Sequence, residues 1–425
     1  GYATPKDVTA TVADTNGSAA PATVRFENAP ITLEFNKSDA LTKEPLDGGI
    51  FQLKDESDAI VKLKEIEAGS YRPDANGAET FTTKNGEAVI RYLTPQQYTI
   101  VEKIPPQGFK ADSPKTVAVS AQNDVSNAAK ASMQDQPLAI EFTKTDTLTG
   151  KVSDGVYTPD AKGSETFTTY EGTAKIGPIA PGVYAIREVR APSGMAVAQD
   201  VSVTVTDSNV SANAAKAGMG DSPLCIAISK VDGDTRQPIG GQVFRLLDAD
   251  GNAVKLSPVS GKPGWFAAGG IADTFGMPAS GTAHIAYLTA GRYQLHEVTP
   301  LDGYAELDGP VEFTVSEADL HTVPKELVIE NKALVLEVTK TDGLTGKPLS
   351  GVSLEILDAG GVAITLKKLA DGSYQVDKNG TAAFETGENG KAMIRLLPVG
   401  EYTLVELGNP GFGKVEPVKF TVGNA

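Results

Sequence analysis

The stretch ITLEFNKSDALTKEPL, residues 31–46, decides how the chain folds. Leu33, Phe35 and Lys37 occupy alternate positions, and side chains two apart on a strand share one face. The lysine therefore points where the apolar residues point. The pattern returns in LAIEFTKTDTLTGK (138–151), LCIAISKVDGDTRQPI (224–239) and LVLEVTKTDGLTGKPL (334–349), with Lys144, Lys230 and Lys340 in the place of Lys37. Four period-two segments, each followed by a polar turn, read as half-buried strands that open four repeats.

Two further blocks recur in step. YTIVEKIPPQGF (98–109), YAIREVRAPSGM (184–195), YQLHEVTPLDGY (293–304) and YTLVELGNPGF (402–412) put Glu102, Glu188, Glu297 and Glu406 on the same face as the leading tyrosine. VRFENAP (24–30), SMQDQP (132–137), GMGDSP (218–223) and VIENKA (328–333) do the same for Asn28, Asp135, Asp221 and Asn331. The first three of these end in proline, which suits a strand boundary. The opening lysines recur 107, 86 and 110 residues apart, about one small domain per repeat and too long for a solenoid unit. The spacing predicts domains at 31–137, 138–223, 224–333 and 334–425. It also predicts that residues 1–30 are the C-terminal strands of a preceding, truncated domain, and that domain 334–425 lacks its last strand. The second domain is about 21 residues shorter between Lys144 and Glu188 than its neighbours between their counterparts, as if a hairpin were missing.

Turn pairs such as Asn76-Gly77, Asn85-Gly86, Asp250-Gly251, Asn379-Gly380 and Asn389-Gly390 separate short strands. Variants of one turn (68–74, 155–160, 372–377) and GxAxI-containing strands (86–93, 390–396) repeat as well. DVSNAAKAS (124–132) and NVSANAAKAG (209–218) read as approaches to the closing strand, with room for a helical turn. The expected fold is all-β: tandem antiparallel sandwiches of Ig-like size, arranged as beads on a string.

Composition narrows the function. Thirty-eight basic residues against 54 acidic ones give a formal charge of −16, which argues against nucleic acid or anionic lipid as partner. No apolar run approaches the ~18 residues of a membrane span. A single cysteine, Cys225, and three scattered histidines leave no intrachain disulfide, no cysteine-rich metal site and no histidine-built catalytic centre. Neither cofactor nor metal is expected.

The chemistry lies in the parity of three residues. Each complete repeat aims one Lys, one Glu and one Asn or Asp into a single core, and isolated buried charges are costly. Desolvation lowers the pKa of a buried Lys and raises that of a buried Glu. A neutral amine is a nucleophile, and a neutral carboxyl can polarise the neighbouring amide or acid. Attack would form a Lys–Asx amide with loss of ammonia or water, Glu shuttling the proton. Effective molarities of ~10⁵–10⁸ M favour such a step. The alternative is a buried ion pair or a snorkelling lysine.

These residues resemble Cna B-type domains of Gram-positive surface proteins, the SpaA-like pilin family, in the KTD…TGKPL opening, the YTLVE…P-x-G-[FY] block and the closing V-x-N-K. The resemblance implies prealbumin-like sandwiches with self-formed isopeptide bonds: Lys37–Asp135 promoted by Glu102, Lys144–Asp221 by Glu188, and Lys230–Asn331 by Glu297. By the same token Lys340 and Glu406 would need an Asx beyond residue 425, and Asn28 a lysine before residue 1.

Weaker signals carry plainer readings. HTVPKEL (321–327) resembles a lysine-bearing pilin motif used by sortases but lacks its Tyr, so a solvated loop lysine is preferred. TD-x-LT-G-K (145–151, 341–347) falls short of a Ca²⁺ loop and reads as an Asx turn. Trp265, in GKPGWFAAGG, is either a glycan-stacking residue or, preferably, hairpin packing. Cys225 is expected as an edge or surface thiol.

The sequence thus predicts an extracellular, cell-wall-anchored stalk or pilin-like segment that presents an adhesin. It would act on itself once and turn over no substrate. Sortase and peptidoglycan would be met outside this stretch. Two alternatives remain at this level: a module whose variable loops, 242–290 above all, bind a host or carbohydrate ligand, and accessory repeats of a larger secreted enzyme.

Overall fold

The computed structural model describes residues 1–425 apart from 19, 153–165, 409, 410, 414, 424 and 425. The turn variant at 155–160 lies outside the described residues. The regular secondary structure among the described residues is almost wholly strand, with one 3₁₀ turn at Ser211–Asn213, inside the second of the two candidate helical stretches.

The opening stretch forms the strand Thr32–Asp39. It sits in a sheet whose order is Leu63–Glu67, Ser70–Pro73, Glu87–Arg91, Thr32–Asp39, Ala129–Pro137, Phe109–Lys110. Ile50–Lys54, Gln96–Ile104 and Lys115–Val119 form the facing sheet. Alternation explains the two layers, because Leu33, Phe35, Ile90 and Met133 of the first meet Phe51, Leu53, Tyr98 and Ile100 of the second in one buried cluster. Phe35 packs edge-on against Phe51 and Phe81, with ring centroids 4.9 Å and 6.0 Å apart. Such pairs add about 0.5–1.5 kcal/mol beyond burial.

The third repeat follows the same plan, with Cys225–Asp232 between Thr282–Ala286 and Lys325–Asn331 in one sheet and Val243–Leu247 beside Gly291–Thr299 in the other. The fourth repeats it with Val335–Thr339 and Ser353–Asp358. The second has its own smaller core around Phe142, Ile186, Val203 and Met219.

Tandem sandwiches are as expected, but the sheets are mixed and not purely antiparallel. The opening strand pairs in parallel with the closing strand, Leu33 opposite Ala129 through Asp39 opposite Asp135, and Ile226 opposite Lys325 through Asp232 opposite Asn331. Short inserted strands add further parallel pairs, Ser70 opposite Val89 and Tyr374 opposite Ile394.

Four sequence expectations are corrected in detail. Val24, Phe26 and Asn28 form no strand and are exposed, because alternation places them on one face only if the segment pairs with neighbouring strands, and here it pairs with none among the described residues. Cys225 is fully buried, clustered with Leu148 and Ala286, since the sheet face away from Lys230 is itself covered; burial pushes its thiol up to about 12. Lys325 is not in a loop but is the first, exposed residue of a closing strand. Lys340 lies one residue past its strand and keeps 19% of its side chain exposed.

Trp265 stacks on His284, ring centroids 4.2 Å apart and 4° from coplanar, as neighbours in parallel strands. That is the packing reading of this residue. The TD-x-LT-G-K loops are Asx turns: Asp146 Oδ1 accepts the Leu148 N–H at 2.8 Å, and Asp342 Oδ1 that of Leu344 at 2.8 Å.

Candidate isopeptide sites

In the first repeat, Lys37 and Asp135 come from adjacent strands of one sheet and Glu102 from the other. All three side chains are fully buried. Lys37 is directly opposite Met133, so Asp135, two residues further on, lies diagonally across the same face. The Lys37 ammonium donates to Glu102 Oε2 at 2.8 Å and is in contact with Asp135 Oδ1. It also lies 5.6 Å from the centre of the Phe51 ring, which closes the site from below.

Glu102 is aimed by an irregularity the sequence did not disclose. Its strand pairs Ile104 with Ile50 but Glu102 with Phe51, one residue out of step. The same bulge follows Glu297, with Thr299 opposite Val243 and Glu297 opposite Phe244. It follows Glu406 too, with Gly408 opposite Ser353 and Glu406 opposite Leu354. A bulge bends its strand and redirects one side chain. Here it lies beside the carboxyl that must reach across to the lysine.

The electrostatics of the first site follow from crowding. Burial pushes Glu102 up to about 7; the Lys37 ammonium opposes the shift and the nearby Asp135 adds to it. Glu102 Oε1 and Asp135 Oδ2 are buried and accept no hydrogen bond among the described residues. Asp135 Oδ1 also accepts the Asp112 backbone N–H at 2.9 Å, and Asp112 Oδ2 in turn accepts the Gln134 N–H at 3.1 Å. Asp112 thus grips the closing strand at the Asp135 carboxyl and at the preceding Gln134 N–H.

The third repeat reproduces the arrangement with an amide. Lys230 and Asn331 are buried on adjacent parallel strands, and the Lys230 amine contacts Asn331 Oδ1. Asn331 Nδ2 donates to both Glu297 carboxylate oxygens at 3.2 Å. Desolvation lowers Lys230 from its ordinary 10.5 to about 8, against the pull of Glu297. Burial raises Glu297, opposed by its bonds to Asn331 and by the charge of Lys230.

In the second repeat Lys144 and Glu188 are buried and in contact, and Glu188 Oε2 accepts the Ala198 N–H at 2.7 Å. Asp221 is fully buried on the closing strand Ala215–Pro223. In the fourth, Lys340 and Glu406 form an ion pair at 2.9 Å. Asn28 is brought to none of these residues.

The SpaA prealbumin-like fold domain family matches residues 31–135, 138–217, 225–330 and 335–425. Comparison with curated proteins finds no match. Among solved structures, the chain is similar to the Bacillus anthracis TIE protein, at 14% identity over 91% of this chain and 70% of that one, TM-score 0.31. A streptococcal ancillary pilin is similar at 19% identity over 67% and 95%, TM-score 0.33. The full-length major pilin SpaD from Corynebacterium diphtheriae is similar at 14% identity over 73% and 98%, TM-score 0.29. With four successive matches spanning most of its length, the chain belongs to the SpaA prealbumin-like fold domain family.

Proposed function

We propose that the chain is a structural segment of a Gram-positive surface stalk or pilus shaft, and that its repeats staple themselves with Lys–Asx isopeptide bonds. The observation that carries this reading is the repeated burial of an amine against the side-chain acyl group of a parallel neighbour, with a raised carboxyl within reach of both. Lys37 passes a proton to Glu102, and its free amine attacks Cγ of Asp135. Two protons leave the lysine nitrogen in all, and both depart on one carboxyl oxygen as water, relayed by Glu102. In the third repeat Glu297 relays protons from Lys230 to the Asn331 nitrogen, which departs as ammonium. The sequence register adds Lys144 with Asp221.

A stalk benefits from such bonds because the linked strands are the first and last of a repeat. Tension entering one and leaving the other then crosses a covalent link and bypasses the hydrogen-bond ladder. Presentation of an adhesin, sortase linkage and attachment to peptidoglycan at the outer wall belong to the same reading. Mass spectrometry of the denatured chain tests it. A deficit of one water for Lys37–Asp135 and one ammonia for Lys230–Asn331, located by peptide mapping, is expected. The unmodified mass rejects the staples.

A further inference from the structure

A second repeated arrangement lies where one repeat hands over to the next. The glycine of each P-x-G-[FY]-like turn that precedes an opening strand accepts a hydrogen bond from a residue one or two positions ahead of that strand. Leu138 N–H binds Gly108 O at 2.8 Å, Leu224 binds Gly194 at 2.9 Å, and Leu334 binds Gly303 at 2.8 Å. Ile31 binds Gly1 in the same way at 3.2 Å. The carbonyl of each of those donor residues then accepts an N–H from the new repeat: Ile179 to Leu138, Leu288 to Leu224, Leu396 to Leu334 and Leu93 to Ile31, at 2.9–3.3 Å.

Three of the four corners carry a non-glycine residue in the left-handed region: Tyr92 at φ 65°, Tyr287 at φ 63° and Leu396 at φ 60°. Such a conformation is uncommon for these residue types, and its recurrence marks a constraint. The turn glycines press on the corners. A Cβ on Gly194 would lie 2.4 Å from Tyr287 O, and one on Gly303 would lie 2.5 Å from Leu396 O. Gly108 is close in the same way to Pro178 and Ile179. No side chain fits there.

Polar side chains reinforce the contact. Tyr304 follows Gly303, is buried, and donates to Asp232 Oδ2 at 2.9 Å. Arg395, just before the Leu396 corner, donates to Asp234 Oδ2 at 2.9 Å. The Tyr287 hydroxyl at an equivalent corner donates to Asp146. None of this takes part in the proposed cross-linking chemistry.

We propose that the P-x-G-[FY] turn is a docking knuckle and the left-handed corner its socket, so that the third repeat is fixed on the fourth and not hung from a free linker. The partner this surface fits is a following repeat that carries the corner. Backbone bonds supply the fit, which explains why the joint recurs while its flanking side chains vary.

Double electron–electron resonance on the full chain tests the third joint. Spin labels go at Ile271→Cys and Val362→Cys, both exposed, in a Cys225→Ala background. A Gly-Ser-Gly-Ser insertion between Ala333 and Leu334 supplies an uncoupled reference. The expected parent distribution is narrow, and Gly303→Val broadens it at least about twofold toward the reference, with melting of the repeats unchanged. If Gly303→Val lowers the folded fraction, Leu334→Pro, which removes only the donor to Gly303, is read by the same criterion. A parent distribution as broad as the reference, or a variant as narrow as the parent, overturns the knuckle. Either result leaves the mass test of the staples untouched.

Discussion

Lys37 stands across from Met133 on the parallel closing strand, yet its amine meets Asp135, two residues further along. That diagonal contact spans 98 residues of sequence. It joins the first strand of a repeat to its last at a point where both side chains are out of water. Closing a loop of about 100 residues contributes up to ~4.7 kcal/mol by the chain-entropy account of disulfides, which is the scale on which the proposed cross-link would stabilise the repeat.

Removal of the proton relay should separate burial from bonding. In Glu102→Ala and Glu297→Ala the affected repeat is expected to keep the full mass of its unbonded residues, while the other repeat still shows its deficit. The unbonded repeat should also melt lower, by an amount corresponding to a few kcal/mol. Intact mass and calorimetry on the same samples check both parts.

The Lys230 site predicts a pH dependence with a definite sign. Its folded pKa is about 8 against an ordinary 10.5, so between those values the unfolded repeat binds more protons than the folded, unbonded one. Stability of the unbonded form therefore rises with pH from about 8 to 10.5 and carries the full desolvation cost below 8. The reactive amine grows in parallel, so bond formation after refolding should accelerate up to about pH 8 and then level off. Time-resolved mass measurement across pH checks this; a rate that falls steadily from pH 6 to 8 contradicts it.

Phe51 faces Glu102 across the sheet and lies under the Lys37 amine. Phe51→Ala should open a cavity costing about 3–5 kcal/mol in the unbonded repeat. Water admitted there should draw Glu102 back toward ordinary carboxylate values and slow the cross-link. Urea melts of Phe51→Ala combined with Glu102→Ala report the first effect, and mass against time in the single variant reports the second.

Cys225 should be silent in the folded chain. Fully buried, with its thiol pushed up to about 12, it is expected to react with a thiol reagent at neutral pH only after denaturation. A stoichiometric reaction in native buffer would show that the sheet face above it opens.

Much of this architecture was legible before any fold was known, for a local reason. Alternation has a period of two residues, so Leu33, Phe35 and Lys37 must share a face wherever the strand goes, as must Tyr98, Ile100 and Glu102. Four repeats in register made the lysines and glutamates of the complete repeats inward-facing by parity alone, and set the all-β class. Parity failed at Asn28, because a strand face exists only where neighbouring strands complete it. It failed for Cys225 as well, since alternation says which residues share a face but not whether the second face is covered.

Pairing belonged to the tertiary structure. Nothing local distinguishes a parallel from an antiparallel neighbour for Thr32–Asp39, which has one of each, Ala129–Pro137 and Glu87–Arg91; that depends on the path of the intervening chain. The bulges after Glu102, Glu297 and Glu406 likewise arise from the match between two strands and not from either one. The grip of Asp112 on Asp135 and the pressure of Gly303 on Leu396 join residues apart in the chain, each through a backbone group on at least one side that no sequence pattern marks. Side-chain order along the chain determined what faces inward, and three-dimensional closure decided what each inward group touches.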